Sequence, residues 1–233
     1  KSTNHTGQRA FIFGLYCLTK RYTLPFYGRF PSMHTNLWIL SLTWALTMPL
    51  AQAATVSVQL QDTAGKPLPE GVVFLEAREA KQLAKPIAGA EIAQVKREFV
   101  PKVLIVPVGT AVSFPNRDTV RHHVYSFSPT KTFELKLYTG TAASPVVFDK
   151  AGIAVLGCNI HDNMTSWVVV VETPFFGLSD VKGVTTLRDV PAGSYRLRVW
   201  HPGLAVGAPA TDQALTVGAN DVSMPYRLAG VSP

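Results

Sequence analysis

Residues 151–172 read AGIAVLGCNIHDNMTSWVVVVE, and they contain the most informative segment of the chain. Runs of apolar and β-branched residues stand on both sides of residues 157–164, which predicts two strands joined by a tight loop. That loop carries a thiol at Cys158, an imidazole at His161 and a thioether at Met164. Because a loop of this length can bring the three side chains to one point, the segment predicts a metal site with sulfur and nitrogen donors.

The rest of the chain after residue 53 favours an all-β fold. Short β-branched runs alternate with turn residues, as they do in β-sandwiches and barrels. The clearest runs are VSVQL at 56–60, KVLIVPV at 102–108, WVVVVE at 167–172 and YRLRVW at 195–200. The helix candidate is residues 76–85, which Pro86 would end.

The run at 195–200 also shows which residues should face a core. Successive side chains of a strand leave opposite faces of the sheet. The alternation therefore predicts that Tyr195, Leu197 and Val199 face a core, while Arg196 and Arg198 face water.

The first 53 residues resemble an export leader. Residues 37–50 form an apolar run that is too short to span a bilayer, which needs about 20 residues. The small-x-small sequence at residues 51–53 follows it and predicts cleavage after Ala53. Residues 1–32 are expected to be an upstream extension, with translation starting at Met33. The sequence predicts a periplasmic protein with no stable membrane insertion after cleavage.

The positive charge belongs mostly to this leader. The chain has 22 basic and 15 acidic residues, and residues 1–53 hold five basic residues and no acidic ones. The remaining chain therefore has 17 basic against 15 acidic residues, a balance of +2. Nucleic-acid binding depends largely on phosphate neutralisation, so this balance argues against it.

The metal site needs a second imidazole, which either His122 or His123 could supply. Cys17 lies in the leader, so the exported chain keeps Cys158 as its one thiol. On a strand, Val120, His122 and Val124 would share one face, and two valines suggest that this is the core face. The alternation of side chains along the strand therefore favours His122 as the second imidazole ligand.

Two imidazoles, a thiolate and a weak axial thioether are the donor set of a blue-copper site. A structural zinc site usually recruits more cysteine or histidine, and haem attachment needs a second nearby cysteine. A cysteine nucleophile with His161 as its base would lack an orienting third group. His201 is expected to be a turn or surface residue.

The stretch from 95 to 171 resembles the cupredoxins, such as amicyanin and plastocyanin. The resemblance rests on Phe99-x-Pro101, on Gly109, Phe114, Asn116 and Asp118, on His122, on Gly152 and on Cys158-x2-His161-x2-Met164. It is strongest to exported cupredoxin-like proteins labelled methylamine utilisation proteins. The resemblance implies one copper ion cycling between Cu(I) and Cu(II), held by His122, Cys158, His161 and Met164, with His123, Asn116 and Asn159 supporting these ligands.

Two flanking segments resemble the halves of a carboxypeptidase-regulatory, transthyretin-like sandwich. The first half is carried by Asp62-x2-Gly65-Lys66-Pro67 and the second by Val190-Pro191-Ala192-Gly193-x-Tyr195. The expected organisation is a split sandwich at 54–87 plus 172–230, with a Greek-key cupredoxin sandwich at 88–171 inserted in it or packed beside it. The alternative is a sequential arrangement, with one N-terminal strand added to the copper barrel.

These features predict a one-electron carrier and not an enzyme. A transient redox partner would dock near His161, which the resemblance places at the surface. The alternatives are an envelope structural or carbohydrate-binding accessory module, or a copper storage or delivery protein. A copper oxidase would need further copper centres and histidines.

Overall fold

The structure, a computed structural model, describes residues 53–141 and 144–232. Within these residues the chain forms sixteen β-strands and one short helix, which confirms the all-β prediction. The strands are β1 (Ala53–Gln61), β2 (Val72–Glu76), β3 (Ala93–Val95), β4 (Glu98–Val100), β5 (Val103–Pro107), β6 (Thr110–Val112), β7 (His122–Ser128), β8 (Lys131–Tyr138), β9 (Val146–Phe148), β10 (Gly152–Gly157), β11 (Thr165–Val171), β12 (Phe176–Leu178), β13 (Val184–Pro191), β14 (Gly193–Trp200), β15 (Thr211–Val217) and β16 (Val222–Arg227).

The helix, α1, spans Arg78–Leu83 and lies inside the predicted interval 76–85. In the described part of the chain, no helix is long and apolar enough to cross a membrane. The predicted leader lies outside the described residues, apart from Ala53, which begins β1.

Two sheets built from both ends of the described chain share one core and form what we call the outer sandwich. Their strand orders are β13-β1-β16 and β12-β2-β14-β15. β1 is antiparallel to β13 and parallel to β16. Alternate residues of β1 are buried, as expected for a strand with one core-facing side. The core contains Ala54, Val56, Val58, Leu60, Leu68, Val73, Leu75, Ala80, Phe175, Leu187, Val190, Tyr195, Leu197, Val199, Val217, Tyr226 and Leu228.

The predicted alternation of β14 is correct on its inner face and incomplete on its outer face. Tyr195, Leu197 and Val199 are buried in the core of the outer sandwich. Arg198 does not face open water, because its side chain is only 19% exposed and pairs with Glu76. The outer face of β14 is therefore covered by another part of the molecule, which the strand's own sequence does not show.

The part of the molecule that covers the outer face of β14 is formed by β3 to β11, which we call the inner module. Its main sheet has the order β5-β11-β10-β7-β8, and the pairs β3–β4 and β6–β9 form two smaller ladders. Residues from the main sheet and both ladders share a second core. That core contains Ala90, Ile92, Phe99, Val106, Val112, Phe114, Val124, Phe148, Ala154, Leu156, Cys158, Met164, Val168 and Val170.

The two chain segments that connect the outer sandwich to the inner module lie side by side. The amide of Leu75, on β2, donates a hydrogen bond to the carbonyl of Phe175, just before β12, over 2.9 Å. Lys81 on α1 forms an ion pair with Glu172, just after β11, with Nζ and Oε1 2.7 Å apart. The chain therefore leaves the outer sandwich and returns to it at neighbouring points.

A third apolar cluster joins the outer sandwich to the inner module. It contains Val72, Phe74, Val103, Ile105, Val169, Val171, Trp200 and Ala210. Apart from Ala210, which directly precedes β15, these residues come from β2 and β14 on one side and from β5 and β11 on the other. Both faces of β11 are thus covered, which explains why its sequence is a continuous apolar run without alternation.

Candidate metal centre

Two neighbouring strands place the candidate metal ligands at one end of the main sheet of the inner module. His122 is the first residue of β7, and Cys158 directly follows β10. Tyr125 of β7 lies opposite Gly157 of β10, so His122 and Cys158 are close in space although 36 residues separate them. His161 follows in the loop between β10 and β11.

The donor atoms of His122, Cys158 and His161 converge. The Sγ atom of Cys158 lies 3.9 Å from Nδ1 of His122 and 3.9 Å from Nδ1 of His161. All three donors lie within 4.8 Å of one another. Metal–ligand bonds of about 2.0–2.3 Å separate two donors by roughly 3.7 Å when the angle at the ion is near 120°. The observed spacing therefore fits a single ion between the three side chains.

The site is shielded from water on most sides. His122 has no exposed surface, Cys158 is 3% exposed, and His161 is half-buried. Met164 is 1% exposed and belongs to the same apolar core as Cys158. Its amide donates to the carbonyl of His161 over 2.9 Å, which closes the loop into a tight turn. A soft, sulfur-containing donor set in such apolar surroundings suits copper better than a hard cation.

A carboxylate fixes the orientation of His122. Nε2 of His122 lies 2.8 Å from Oδ2 of Asp118. An ionised carboxylate only accepts hydrogen bonds, so Nε2 carries the proton and the Nδ1 lone pair is directed to the side of Cys158. Histidine ligands commonly donate their other ring N–H in this way, which sets the tautomer and raises the basicity of the ligand.

Asp118 is in turn fixed by a turn of the backbone. It accepts hydrogen bonds from the amides of Lys96 and Arg97, which both have positive φ between β3 and β4. Burial alone would raise the pKa of Asp118, but the bonds from the Arg97 amide, the His122 ring and the Lys96 amide together hold that pKa below its usual value. Asp118 is therefore an anion at neutral pH.

His123, the neighbouring histidine, points elsewhere. Its Nε2 lies 3.0 Å from Oε1 of Glu134, and its ring packs edge-on against Tyr125 with centroids 5.9 Å apart. The strand does not alternate regularly here, because the pairing of β7 with β8 shifts register between His122 and Val124. Val120 precedes the strand and is 37% exposed, so it does not share a core face with His122 as predicted. His122 nevertheless faces Cys158.

The two asparagines expected near the ligands have different surroundings. Asn116 is 5% exposed, and its side-chain amide donates to the carbonyls of Val120 and Tyr138, each over 2.8 Å. Its Oδ1 accepts from the amide of Asp118 over 2.9 Å. Asn116 thereby organises the loop that carries Asp118 into position. Asn159 is exposed on the loop after Cys158.

The role of Asp118 was not predicted from the sequence, although the residue belongs to the cupredoxin-like motif. A signal was available, because Asp118 stands four residues before His122. The missing information was the conformation of the intervening loop, which Asn116 sets.

Several copper proteins of known structure are similar to part of this chain. A copper-containing nitrite reductase from Thermus scotoductus SA-01 is 28% identical over 38% of this chain, with a TM-score of 0.34, and the match spans 26% of the reductase. A mutant of amicyanin in its reduced Cu(I) form is 20% identical over 42% of this chain and 98% of its own, with a TM-score of 0.33. A purple cupredoxin from Nitrosopumilus maritimus is 26% identical over 35% of this chain and 99% of its own, with a TM-score of 0.30. No family model and no curated protein matches the sequence.

Proposed function

We propose that this is an exported copper protein that carries single electrons through one mononuclear site. The observation that carries the proposal is the convergence of one thiol and two imidazoles, whose ligand atoms lie within 4.8 Å of one another in largely buried surroundings. His122, Cys158 and His161 would hold the ion, and Met164 would supply a weaker fourth contact. Bound copper would supply a Cu(I)/Cu(II) couple, for which thiolate and imidazole donors are well suited.

The residues of the chain account for the remaining properties of a carrier. Asp118 holds the His122 ring in place before any metal binds, so the ligands need little rearrangement when the charge of the ion changes. Cys158 and Met164 are buried and exclude water. With four protein ligands, no position would be left for a substrate, in contrast to catalytic metal sites. We therefore propose a carrier and not an enzyme.

His161 is the proposed route for electrons to the surface. It is half-buried, while its neighbour Ile160 is 47% exposed and Asn159 and Asn163 are exposed. This small, mostly uncharged surface suits a transient redox partner, since such encounters use small interfaces. The apolar leader motif supports delivery of the protein to the periplasm.

A redox cycle on the copper-loaded full chain tests the proposal. We expect a reversible one-electron wave in protein-film voltammetry, with copper retained over repeated cycles. His123→Ala is the matched control and should keep the wave, because that ring contacts Glu134 and not Cys158. His122→Ala should abolish it. Release of copper on the first reduction would instead support storage or delivery, and failure to bind copper would support an accessory module.

A further inference from the structure

A cleft of about 740 Å³ lies between the inner module and the outer sandwich, apart from the metal centre. One wall is the outer face of β7, β10 and β11, and the other comes from β2, β14 and the segment 205–210. Ligand sites usually have volumes of about 300–1,000 Å³ and often occur between domains. The cleft is therefore large enough to take a small organic molecule.

The walls of the cleft are unusually aromatic. Tyr125 and Phe127 stand along one wall with ring centroids 5.1 Å apart. Trp167 and Trp200 meet from opposite walls at 6.0 Å. Phe127 is 74% exposed at the cleft, although a large apolar side chain is normally buried. Such walls favour a planar ring that can stack on them.

The cleft has one polar corner, and its charges cancel. Arg198 donates to Oε2 of Glu76 over 2.9 Å and to the carbonyl of Ala210 over 3.1 Å. Arg196 lies 4.0 Å from the same carboxylate oxygen and also pairs with Asp212. At the cleft itself the cation Arg198 is balanced by the anion Glu76, and the neighbouring pair Arg196 and Asp212, which does not line the cleft, is balanced as well, so the corner gives no net attraction to a charged ligand.

One hydrogen-bond donor in this corner is unused. The Nε–H group of Arg198 is buried without a hydrogen-bond partner among the described residues. A buried donor that makes no hydrogen bond carries a desolvation cost. Because Nε has almost no accessible surface, a ligand oxygen would reach it only when the Arg198 side chain turns toward the cleft, and the new hydrogen bond would offset that cost. Because the surrounding charges cancel, a neutral carbonyl oxygen fits this donor better than a carboxylate would.

We propose that the cleft binds a neutral planar ring with a carbonyl oxygen, the chemistry of a quinone. The ring would stack against Tyr125, Phe127 and Trp167, and the carbonyl would accept from Nε of Arg198. The cleft extends to Gly157, where a Cβ atom would come within 2.8 Å of the Tyr125 ring and hydroxyl. One end of the cleft therefore lies next to Cys158, but the proposed binding does not depend on copper.

Titration of the purified full chain with duroquinone tests this proposal, by ligand-observed NMR with and without copper. All ring positions of duroquinone are substituted, so the Cys158 thiol cannot add to the ring. We expect saturable binding with a Kd of roughly 10⁻⁴ M, as suits so small a ligand. Phe127→Ser should raise the Kd about three- to tenfold through lost stacking. The matched control is Val147→Ser, another exposed apolar side chain of the inner module, and it should leave the Kd unchanged.

A second pair of variants tests the polar corner. Glu76→Gln with Arg198→Met removes both charges and the unused donor, and should raise the Kd roughly tenfold. Glu76→Gln alone keeps Arg198 and should retain binding. The proposal is wrong if duroquinone does not bind below about 10⁻³ M. It is equally wrong if binding is the same in Phe127→Ser and in the double variant as in the unchanged protein.

Discussion

Asp118 shows how one side chain can serve both the backbone and a metal ligand. One carboxylate joins the turn at Lys96 and Arg97 to the His122 ring. Because the carboxylate is held by amides that cannot move far, the imidazole it contacts is also confined. The backbone turn therefore positions the carboxylate, the carboxylate positions the His122 ring, and the ring presents the nitrogen that would bind the metal.

Replacement of this carboxylate should weaken copper binding without removing a ligand. We expect Asp118→Asn to lower Cu(II) affinity roughly 10- to 100-fold, the usual loss when the partner of a ligand histidine is changed. Competition with a chelator would measure it. Asp149→Asn is the control, since Asp149 is an exposed carboxylate that pairs with Lys131. Unchanged copper affinity in Asp118→Asn would show that the carboxylate does not control the ligand.

His201 is a second residue whose hydrogen bonds specify one protonation state. It lies at a turn, where Nε2 is 2.9 Å from the carbonyl oxygen of Pro69 and Nδ1 accepts from the amide of Gly203 over 2.9 Å. Only the neutral ring can donate at Nε2 and accept at Nδ1. Burial lowers the pKa of His201, Lys102 adds to this, and the Pro69 bond and Glu70 oppose it.

This residue should make folding stability depend on pH. Because the folded-state pKa lies below the ordinary value of about 6.5, the unfolded chain binds the proton first as the pH falls. The contribution of His201 is therefore complete above about pH 6.5 and is lost below it. Urea unfolding between about pH 7.5 and 5.5 should show a smaller decline in His201→Gln than in the unchanged protein. An identical decline in both would contradict this role.

At the scale of single elements, predictions from the sequence were correct where a single strand or loop determines which side chains are buried or meet. The alternation of β14 correctly identified Tyr195, Leu197 and Val199 as core residues. The spacing of Cys158 and His161 within one loop correctly suggested that they would meet. Such features depend on local geometry, which a short run of sequence contains.

Three features that depend on how distant elements pack were not predicted from the sequence. The position of Arg198 against Glu76 depends on the pairing of β14 with β2, across more than a hundred residues. The register shift at His123 depends on how β7 meets β8. The aromatic cleft depends on how the inner module and the outer sandwich pack, and its lining residues are scattered along the chain.

At the scale of the whole molecule, we propose that residues 88–171 are a module inserted into a sandwich formed by 54–87 and 172–230. β1 pairs with β13, and β2 pairs with both β12 and β14, so residues before and after the inner module share one core. The neighbouring connections at Leu75 and Phe175 are what an insertion requires, because domains can be added or removed where their ends lie close together.

Removal of the inner module tests the insertion. We expect a chain in which a short Gly-Ser bridge joins Leu83 to Glu172, so that α1 and its core residue Ala80 are kept, to unfold cooperatively in urea. Phe74 and Trp200 should be changed to Thr in the same chain, because removal exposes both side chains to water. The shortened chain that keeps Phe74 and Trp200 is the control, and a comparison of the two shortened chains shows whether these exposed side chains cause aggregation. A soluble product that lacks a cooperative transition would show that the outer sandwich needs the inner module in order to fold.

The measurement that tests the central claim most directly is the visible absorption and EPR spectrum of the full chain after one equivalent of Cu(II) is added. A thiolate and two imidazoles around one ion predict an intense thiolate-to-copper charge-transfer band that appears stoichiometrically and is absent in Cys158→Ser. His123→Ala should keep the band. A protein that binds Cu(II) without such a band, or with one that persists in Cys158→Ser, would contradict a copper site built on Cys158.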